Sequence, residues 1–466
     1  MFHLEAHNTS VRREMTAGLV TFLTMAYIIF VQPAVLSGQM FGKPTGMDFG
    51  AVMVATCLSS ALFSIMMGLY ARYPVALAPG MGENFFFVFS AIPAAAAAGY
   101  TEPWRVALGI VCLSGCLFLV LSLAGIRESI FEAISPSMKH SIAVGIGLFI
   151  AFIGFQNAGL IQKDPGTAVK LNHVFESPDL IVFFTGFIVA SVLTARRARG
   201  AILIGIAAST LVALALKVGL PALMPAAADS PIVRDSMLMK QFAVARTVVS
   251  SPPPLSPTFM KLDVIHAFTP RMMPFIIIFL YMALFDTMGT LIGIGEQAGL
   301  IRDNKLVRAR HAFTTDAASS LVGSLLGTST VTAYIESGAG IQYGGRTGLT
   351  AVTTGLLFLA APVFSPLIAM VGSYPPITAP ALVLVGVMMI SNVARVQWDD
   401  PTEAIPAFLI IMGIPLSYSI SDGLALGFIS YPIIKAFSGR GRDVKWLMYL
   451  LSAVLLAYYI FVRSGM

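Results

Sequence analysis

The stretch LLGTSTVTAYIESGAG, residues 325–340, is crowded with Gly, Ser and Thr and carries one carboxylate, Glu336, with no Lys or Arg beside it. A second stretch of the same character, PVALAPGMGENFFF, residues 74–87, interrupts an apolar run with Pro and Gly and holds Glu83. In a water-soluble domain both would read as loops. Here they lie in a chain of 466 residues that is 57% hydrophobic and only 11% charged, with a mean hydropathy of +0.83. An ordinary soluble domain carries about 25% charged residues. Long apolar runs such as 275–284 and 447–462 recur along the chain, and roughly 20 predominantly apolar residues carry a helix across hydrocarbon. The bilayer is the expected solvent, and the two stretches are expected to be interrupted membrane segments.

Working outward, apolar runs punctuated by Pro, Gly and charge predict spans near residues 15–36, 50–70, 83–98, 104–124, 139–161, 179–195 and 201–219. A Pro-rich connection, 220–271, follows, and further spans are predicted near 272–295, 311–327, 334–345, 348–371, 378–394, 403–418 and 420–437. Basic residues cluster in alternate connections, as at Arg196, Arg197, Arg199, Arg308 and Arg310, whereas the short opposite loops hold only Lys43, Arg105, Lys163 and Lys170. That bias predicts a cytoplasmic N-terminus. The stretch 446–462 either crosses again or lies on the surface. Seven spans per half would give the halves opposite orientations, an inverted repeat, with the two interrupted stretches, third and tenth, at matching places. Such paired defects point to a binding site near the bilayer midplane. The plainer reading, that small residues only let helices approach closely, does not ask for a carboxylate in each stretch.

Ionisable side chains inside a membrane cost about 2.5–3.5 kcal/mol each at mid-helix. Glu83, Glu336 and Asp286, the last in YMALFDTMGTLIG at 281–293, share their segments with no Lys or Arg. A carboxylate in such a place can take up a proton near neutral pH or accept hydrogen bonds from ring N–H groups of a planar heterocycle. Capping a broken helix is the plainer alternative for each. Asn84, Thr287, Thr290, Thr328, Ser329, Thr330, Thr332 and Ser337 supply neutral donors and acceptors nearby, and Phe85, Phe86, Phe87 and Tyr334 could offer stacking faces, although packing is the commoner role for any one aromatic.

Other chemistry lacks a motif. No P-loop and no HExxH is present, the histidines are dispersed, and Cys57, Cys112 and Cys116 sit in apolar stretches as buried small hydrophobes. No cofactor or metal is expected. The net charge of +6 is scattered over the ends of apolar segments, so nucleic acid is not the expected partner. A membrane-embedded enzyme has no paired nucleophile and base behind it.

The stretches ALAPGMGEN, ALFDTMGTLIG and TSTVTAYIESGAGI, with REMTAGLVTFLTMAYIIFVQP at Arg13 and DGLALGFISYPIIKAFSG ending at Gly439, resemble the AzgA-like purine permeases, a branch of the nucleobase:cation symporter superfamily. The resemblance implies an all-α polytopic membrane protein of fourteen transmembrane segments in 7+7 inverted repeats, with core and gate domains like those of the uracil permease and short strand-like segments before half-helices 3 and 10. It implies a core domain of 1–138 and 272–371, a gate domain of 139–219 and 372–440, an outer loop at 220–271 and a C-terminal hydrophobic segment at 441–466. The implied activity is proton-coupled import of adenine, guanine or hypoxanthine by alternating access. Asp286 and Glu336 would bind the base and couple protons, with Asn84, the backbone at Phe85, Glu83, Thr287, Thr332 and Ser337 lining the site. At the third segment this chain departs from the family's commoner pattern, an apolar residue before Asn and a small one after, by carrying Glu83 and Phe85. A homodimer is implied by analogy alone. Coupling to Na⁺ through backbone carbonyls stays open at this stage, as does an anion transporter or channel of the same architecture, which would be expected to place a cation where these carboxylates stand.

Overall fold

A computed structural model describes residues 2, 4–124, 134–302, 305–457 and 459–460. Each of the predicted spans holds a helix. Among the described residues, eight helices are long and apolar enough to cross a membrane: Val11–Leu36, Phe49–Ala71, Pro103–Ala124, Pro136–Asn157, Pro178–Ala195, Ala201–Leu223, Gly348–Gly372 and Pro375–Arg395. Shorter apolar helices cover Met81–Ala97, Met273–Met288, Pro401–Ser417 and Trp446–Ala457. The chain is a helical, polytopic membrane protein. Of the C-terminal hydrophobic stretch, Trp446–Ala457 is helix, and 461–462 lie outside the described residues.

Local chemistry sets the helix ends. Asp48 and Asp400 accept the N–H groups of Ala51 (2.7 Å) and Thr402 (3.0 Å), each satisfying a donor that the first turn leaves free. Prolines persist inside apolar helices at Pro33, Pro221, Pro406, Pro415 and Pro432, as happens where neighbouring helices satisfy the freed carbonyls.

The chain forms two compact units, one of Met1–Ala76, Ala151–Pro257 and Tyr334–Val385, the other of Leu77–Ile150, Thr258–Ala333 and Gly386–Met466. In the first, helix Val11–Met25 lies along helix Gly348–Ala360, which also packs on Phe49–Met66. There the backbones come together: a methyl group on Gly355 would sit 2.7 Å from the Ala61 carbonyl oxygen, the close approach that small residues permit. Glu14, fully buried, closes this bundle by accepting Arg346 N–H (2.9 Å), Thr347 N–H (3.2 Å) and the Thr350 hydroxyl (2.6 Å). The connection at 220–271 is more ordered than its polar, Pro-rich sequence suggests. Its short helix Met237–Gln241 is gripped by Asp179, which accepts the N–H groups of Met237 (3.0 Å) and Leu238 (2.9 Å), and by Lys217, which donates to the carbonyls of Leu238 (3.1 Å) and Met239 (2.8 Å). A hairpin of β2, Ile161–Asp164, and β3, Ala168–Leu171, was not expected from the sequence. At its turn, the Lys170 ammonium and the N–H groups of Gly166 and Thr167 hold the Asp164 carboxyl below its ordinary range.

In the second unit, helix Pro103–Ala124 packs on Ala309–Leu326 and Met273–Ala298 around Phe118, Leu280, Ala283, Leu284 and Ala317. Helices Pro401–Ser417 and Ile420–Phe437 form a hairpin whose end carries a charge cluster. Lys435, 2% exposed, meets Glu403 at 2.9 Å, and Arg440 meets Asp400 at 2.7 Å. The Thr402 hydroxyl and the Arg440 guanidinium hold Asp400 well below the usual carboxylate range.

Beyond a two-residue pair of β4, Ile301–Arg302, and β5, Lys305–Leu306, the short strand-like segments are present: β1, Leu77–Pro79, pairs antiparallel with β6, Val331–Ala333, in the register Leu77↔Ala333, Ala78↔Thr332 and Pro79↔Val331. Both are fully buried. Extended backbone at membrane depth is tolerable only where protein satisfies its polar groups. Each strand leads into a six-residue helix, Met81–Phe86 and Ser337–Gln342 respectively.

Candidate functional site

Strand β6 has β1 on one edge. Its other edge is closed by side chains of helix Ala309–Leu326. Asp316, Ser319 and Ser320 fall on one helical face. The hydroxyls of Ser319 and Ser320 donate to the Val331 carbonyl (2.7 and 2.9 Å), and Asp316 Oδ1 accepts the Ala333 N–H (2.8 Å). Asp316 Oδ2 accepts the Thr287 hydroxyl at 2.5 Å, and Thr287 lies 3.1 Å from the Thr332 hydroxyl. A single buried carboxylate thus ties the helix carrying Asp286 and Thr287 to the strand carrying Thr332. Unpaired backbone groups in such a place would cost about 1–3 kcal/mol each.

The other predicted residues of this unit lie on or beside the same frame. Asn84 accepts a hydrogen bond from the Ser329 hydroxyl through its side-chain oxygen. Glu83 is 2% exposed and precedes it on the same turn. Phe85 is fully buried in an aromatic group with Phe89 (6.1 Å), Phe149 (6.2 Å) and, through these, Tyr418. Its ring is therefore a packing element, and only its backbone is left to face a substrate. A π-helical turn at Phe87–Ala91 follows, a feature frequent at functional sites. Asp286 projects from helix Met273–Ala298 as an exposed side chain, whereas Thr287 beside it is buried.

In the first unit, Glu336 and Ser337 stand at the start of helix Ser337–Gln342. Glu336 Oε1 accepts the hydroxyl of Tyr27 at 2.8 Å, and the Thr24 hydroxyl reaches the Glu336 carbonyl at 3.4 Å. Tyr27 is only 2% exposed. The Ser337 hydroxyl accepts the Ala76 N–H (3.0 Å), while Tyr334 N–H donates to the Ala76 carbonyl (3.0 Å). Ser337 is thereby a backbone clasp.

Three residues escaped the sequence reading. Asp316 follows Arg308, Arg310 and His311 closely enough to pass for the end of a charged connection. The signal that could have found it is the spacing of Asp316 to Ser319 and Ser320, which puts the three on one helical face. Glu14 hid in the same way behind Arg12 and Arg13. Tyr27 gave no signal, since one Tyr in an apolar run reads as core. Among the described residues no group of three or more His, Cys, Asp or Glu side chains could hold a metal ion.

The second unit offers an exposed carboxylate at Asp286 and an amide at Asn84 that holds the Ser329 hydroxyl, and the first offers a carboxylate at Glu336 oriented by Tyr27. Such donors and acceptors suit a small polar heterocycle. A model of the Permease family, that of the xanthine and uracil permeases, matches residues 12–426. The chain is 40% identical to the guanine/hypoxanthine permease PbuG of Bacillus subtilis over 99% of each chain. It is 39% identical to the adenine permease AdeP of Escherichia coli, over 100% of this chain and 96% of that one. Among solved structures, the transmembrane domain of the bicarbonate transporter BicA of a cyanobacterium superposes with a TM-score of 0.61 at 12% identity, over 88% of this chain and 97% of that one. At that identity it speaks to the fold alone.

Proposed function

Because the chain belongs to the Permease family whose model spans residues 12–426, we propose that it imports purine nucleobases across the cytoplasmic membrane together with protons. The observation that carries the reading is the buried frame that binds Thr287, Asp316 and β6 into one unit, leaving Asp286 beside it with its side chain exposed. A base would be read by Asp286 and Glu336 through its ring N–H groups, and by Asn84, Thr287, Thr332 and the backbone at Phe85 along its edge. The substrate class follows from the guanine/hypoxanthine and adenine permeases to which the chain is similar over its whole length.

In this reading the chain crosses the membrane fourteen times in two inverted repeats with its N-terminus in the cytoplasm. The core domain, 1–138 and 272–371, moves against the gate domain, 139–219 and 372–440, in alternating access, and the protein acts as a homodimer. Asp286 and Glu336 take the coupling proton. An anion transporter of the same architecture is the second reading. Carboxylates at the site weigh against it, since they would repel an anion.

The coupling is tested by uptake of labelled purine into cells that lack their own nucleobase transporters. Uptake should fall as external pH rises and collapse with a protonophore, while external Na⁺ makes no difference. Na⁺-dependent uptake that ignores the protonophore would overturn proton coupling.

A further inference from the structure

Glu83 is buried at 2% exposure in the first turn of helix Met81–Phe86. Its carboxyl fills the space that Gly80 leaves beside β6: a methyl group on Gly80 would fall 2.9 Å from Glu83 Cδ and 3.1 Å from Thr332 Cγ2. Oε1 has no hydrogen-bond partner among the described residues. Asp316, which holds the Ala333 N–H next to Thr332, is near enough to Glu83 for two anions to repel, and Asp286 is near enough to Asp316 for the same. The helices packed on Met81–Phe86 bring Asp286 from Met273–Ala298, and Asp422 and Lys435 from Ile420–Phe437. Asp422 is bound by Tyr459 and Lys435 by Glu403.

The two acids are not equivalent. Asp316 has donors on both oxygens, the Thr287 hydroxyl and the Ala333 N–H, which favour its charged form. Glu83 has one oxygen without a donor and a carboxylate for a neighbour. A second, unpaired anion buried there would be costly. Neutralising it by a proton removes both the bare charge and the repulsion. One carboxyl offers too few oxygens for a metal cation, which takes about six or more oxygen ligands in calcium and magnesium sites.

We propose that Glu83 is a proton-carrying residue of the transport cycle, a protonatable position in addition to Asp286 and Glu336. The inference rests on the symport reading above. In the loaded state the proton is bonded to a Glu83 oxygen. When the site opens to the cytoplasm and water reaches helix Met81–Phe86, that O–H bond breaks and the proton leaves to water, and the like charges of Glu83 and Asp316 then disfavour return to the loaded packing until a proton is bound again from outside. This chain would thus move one more proton per purine than it does with the acid at position 83 neutralised.

The test uses the purified full chain. Infrared difference spectra of wild type and Glu83→Gln at neutral pH should show the C=O stretch of a protonated carboxyl in the wild type and its loss in the variant, with Glu83→Asp retaining such a band. In proteoliposomes, the proton-to-purine ratio read from the reversal potential should fall by one in Glu83→Gln and be restored in Glu83→Asp. An unchanged band in Glu83→Gln would mean that Glu83 is ionised and overturn the assignment. A lost band with an unchanged ratio would make Glu83 a static neutral acid and equally overturn its part in the cycle. Failure of the wild type to transport any purine would instead sink the symport reading, a result that the infrared band keeps distinct.

Discussion

The hydroxyl of Tyr27 donates a 2.8 Å hydrogen bond to Glu336 Oε1, joining residues 309 positions apart in the chain. The bond fixes the rotamer of a carboxylate that sits at a helix start, where small neighbours at Ser337 and Gly338 would otherwise leave it free to turn.

Tyr27→Phe removes the hydroxyl and leaves the ring. A hydrogen bond to a charged group contributes about 1.5–3 kcal/mol, so purine KM should rise by roughly tenfold or more while the amount of protein in the membrane stays the same. Uptake kinetics beside a surface-expression assay check this. An unchanged KM would show that the Glu336 carboxylate needs no orientation from this side.

Asp316→Ala strips the acceptor from both Thr287 and Ala333 N–H. The buried Ala333 N–H loses its side-chain acceptor, at about 1–3 kcal/mol, and the Thr287 hydroxyl is left with Thr332. The variant should melt at lower temperature in detergent and lose uptake, although Asp316 touches no substrate in this account. Asp316→Asn, which keeps an acceptor for Ala333 N–H, should recover part of the stability.

Lys435→Met leaves Glu403 buried beside the apolar hairpin without its cation. Breaking a buried ion pair on one side costs about 3–5 kcal/mol, so Tm should drop sharply. The double variant Lys435→Met with Glu403→Gln should regain much of it, a comparison that thermal unfolding in detergent makes directly.

Asp400 illustrates pH dependence at a half-buried site. Thr402 and Arg440 favour its charged form and depress its folded-state pKa, so the stabilisation is fully present above the ordinary carboxylate range and is lost as pH falls through the depressed one. The Tm difference between wild type and Asp400→Asn should be constant near neutral pH and shrink on acidification. A difference that grew on acidification would contradict the sign.

The fold was largely legible because the bilayer writes long apolar runs into sequence, and each predicted span does hold a helix. The two interrupted stretches, 74–87 and 325–340, were legible for the same reason: Gly, Pro and a carboxylate have no cheap place in lipid. What the sequence concealed was pairing at a distance. Nothing local says that Ser319 and Ser320 cap the Val331 carbonyl or that Tyr27 turns toward Glu336, and for Asp316 the spacing to Ser319 and Ser320 is a faint sign beside the basic connection before it. Phe85 was legible as a neighbour of the site, and its packing among Phe89, Phe149 and Tyr418 became visible only once those distant segments were brought together.

The most direct measurement is uptake of labelled adenine, guanine, hypoxanthine and uracil by cells lacking their own nucleobase transporters, each with unlabelled competitors and with Asp286→Ala as control. Saturable uptake of at least one purine but not uracil, abolished in Asp286→Ala with the protein still in the membrane, is the result this account predicts. Purine uptake that survives in Asp286→Ala would contradict the site, and no uptake of any base by correctly inserted wild type would contradict the function.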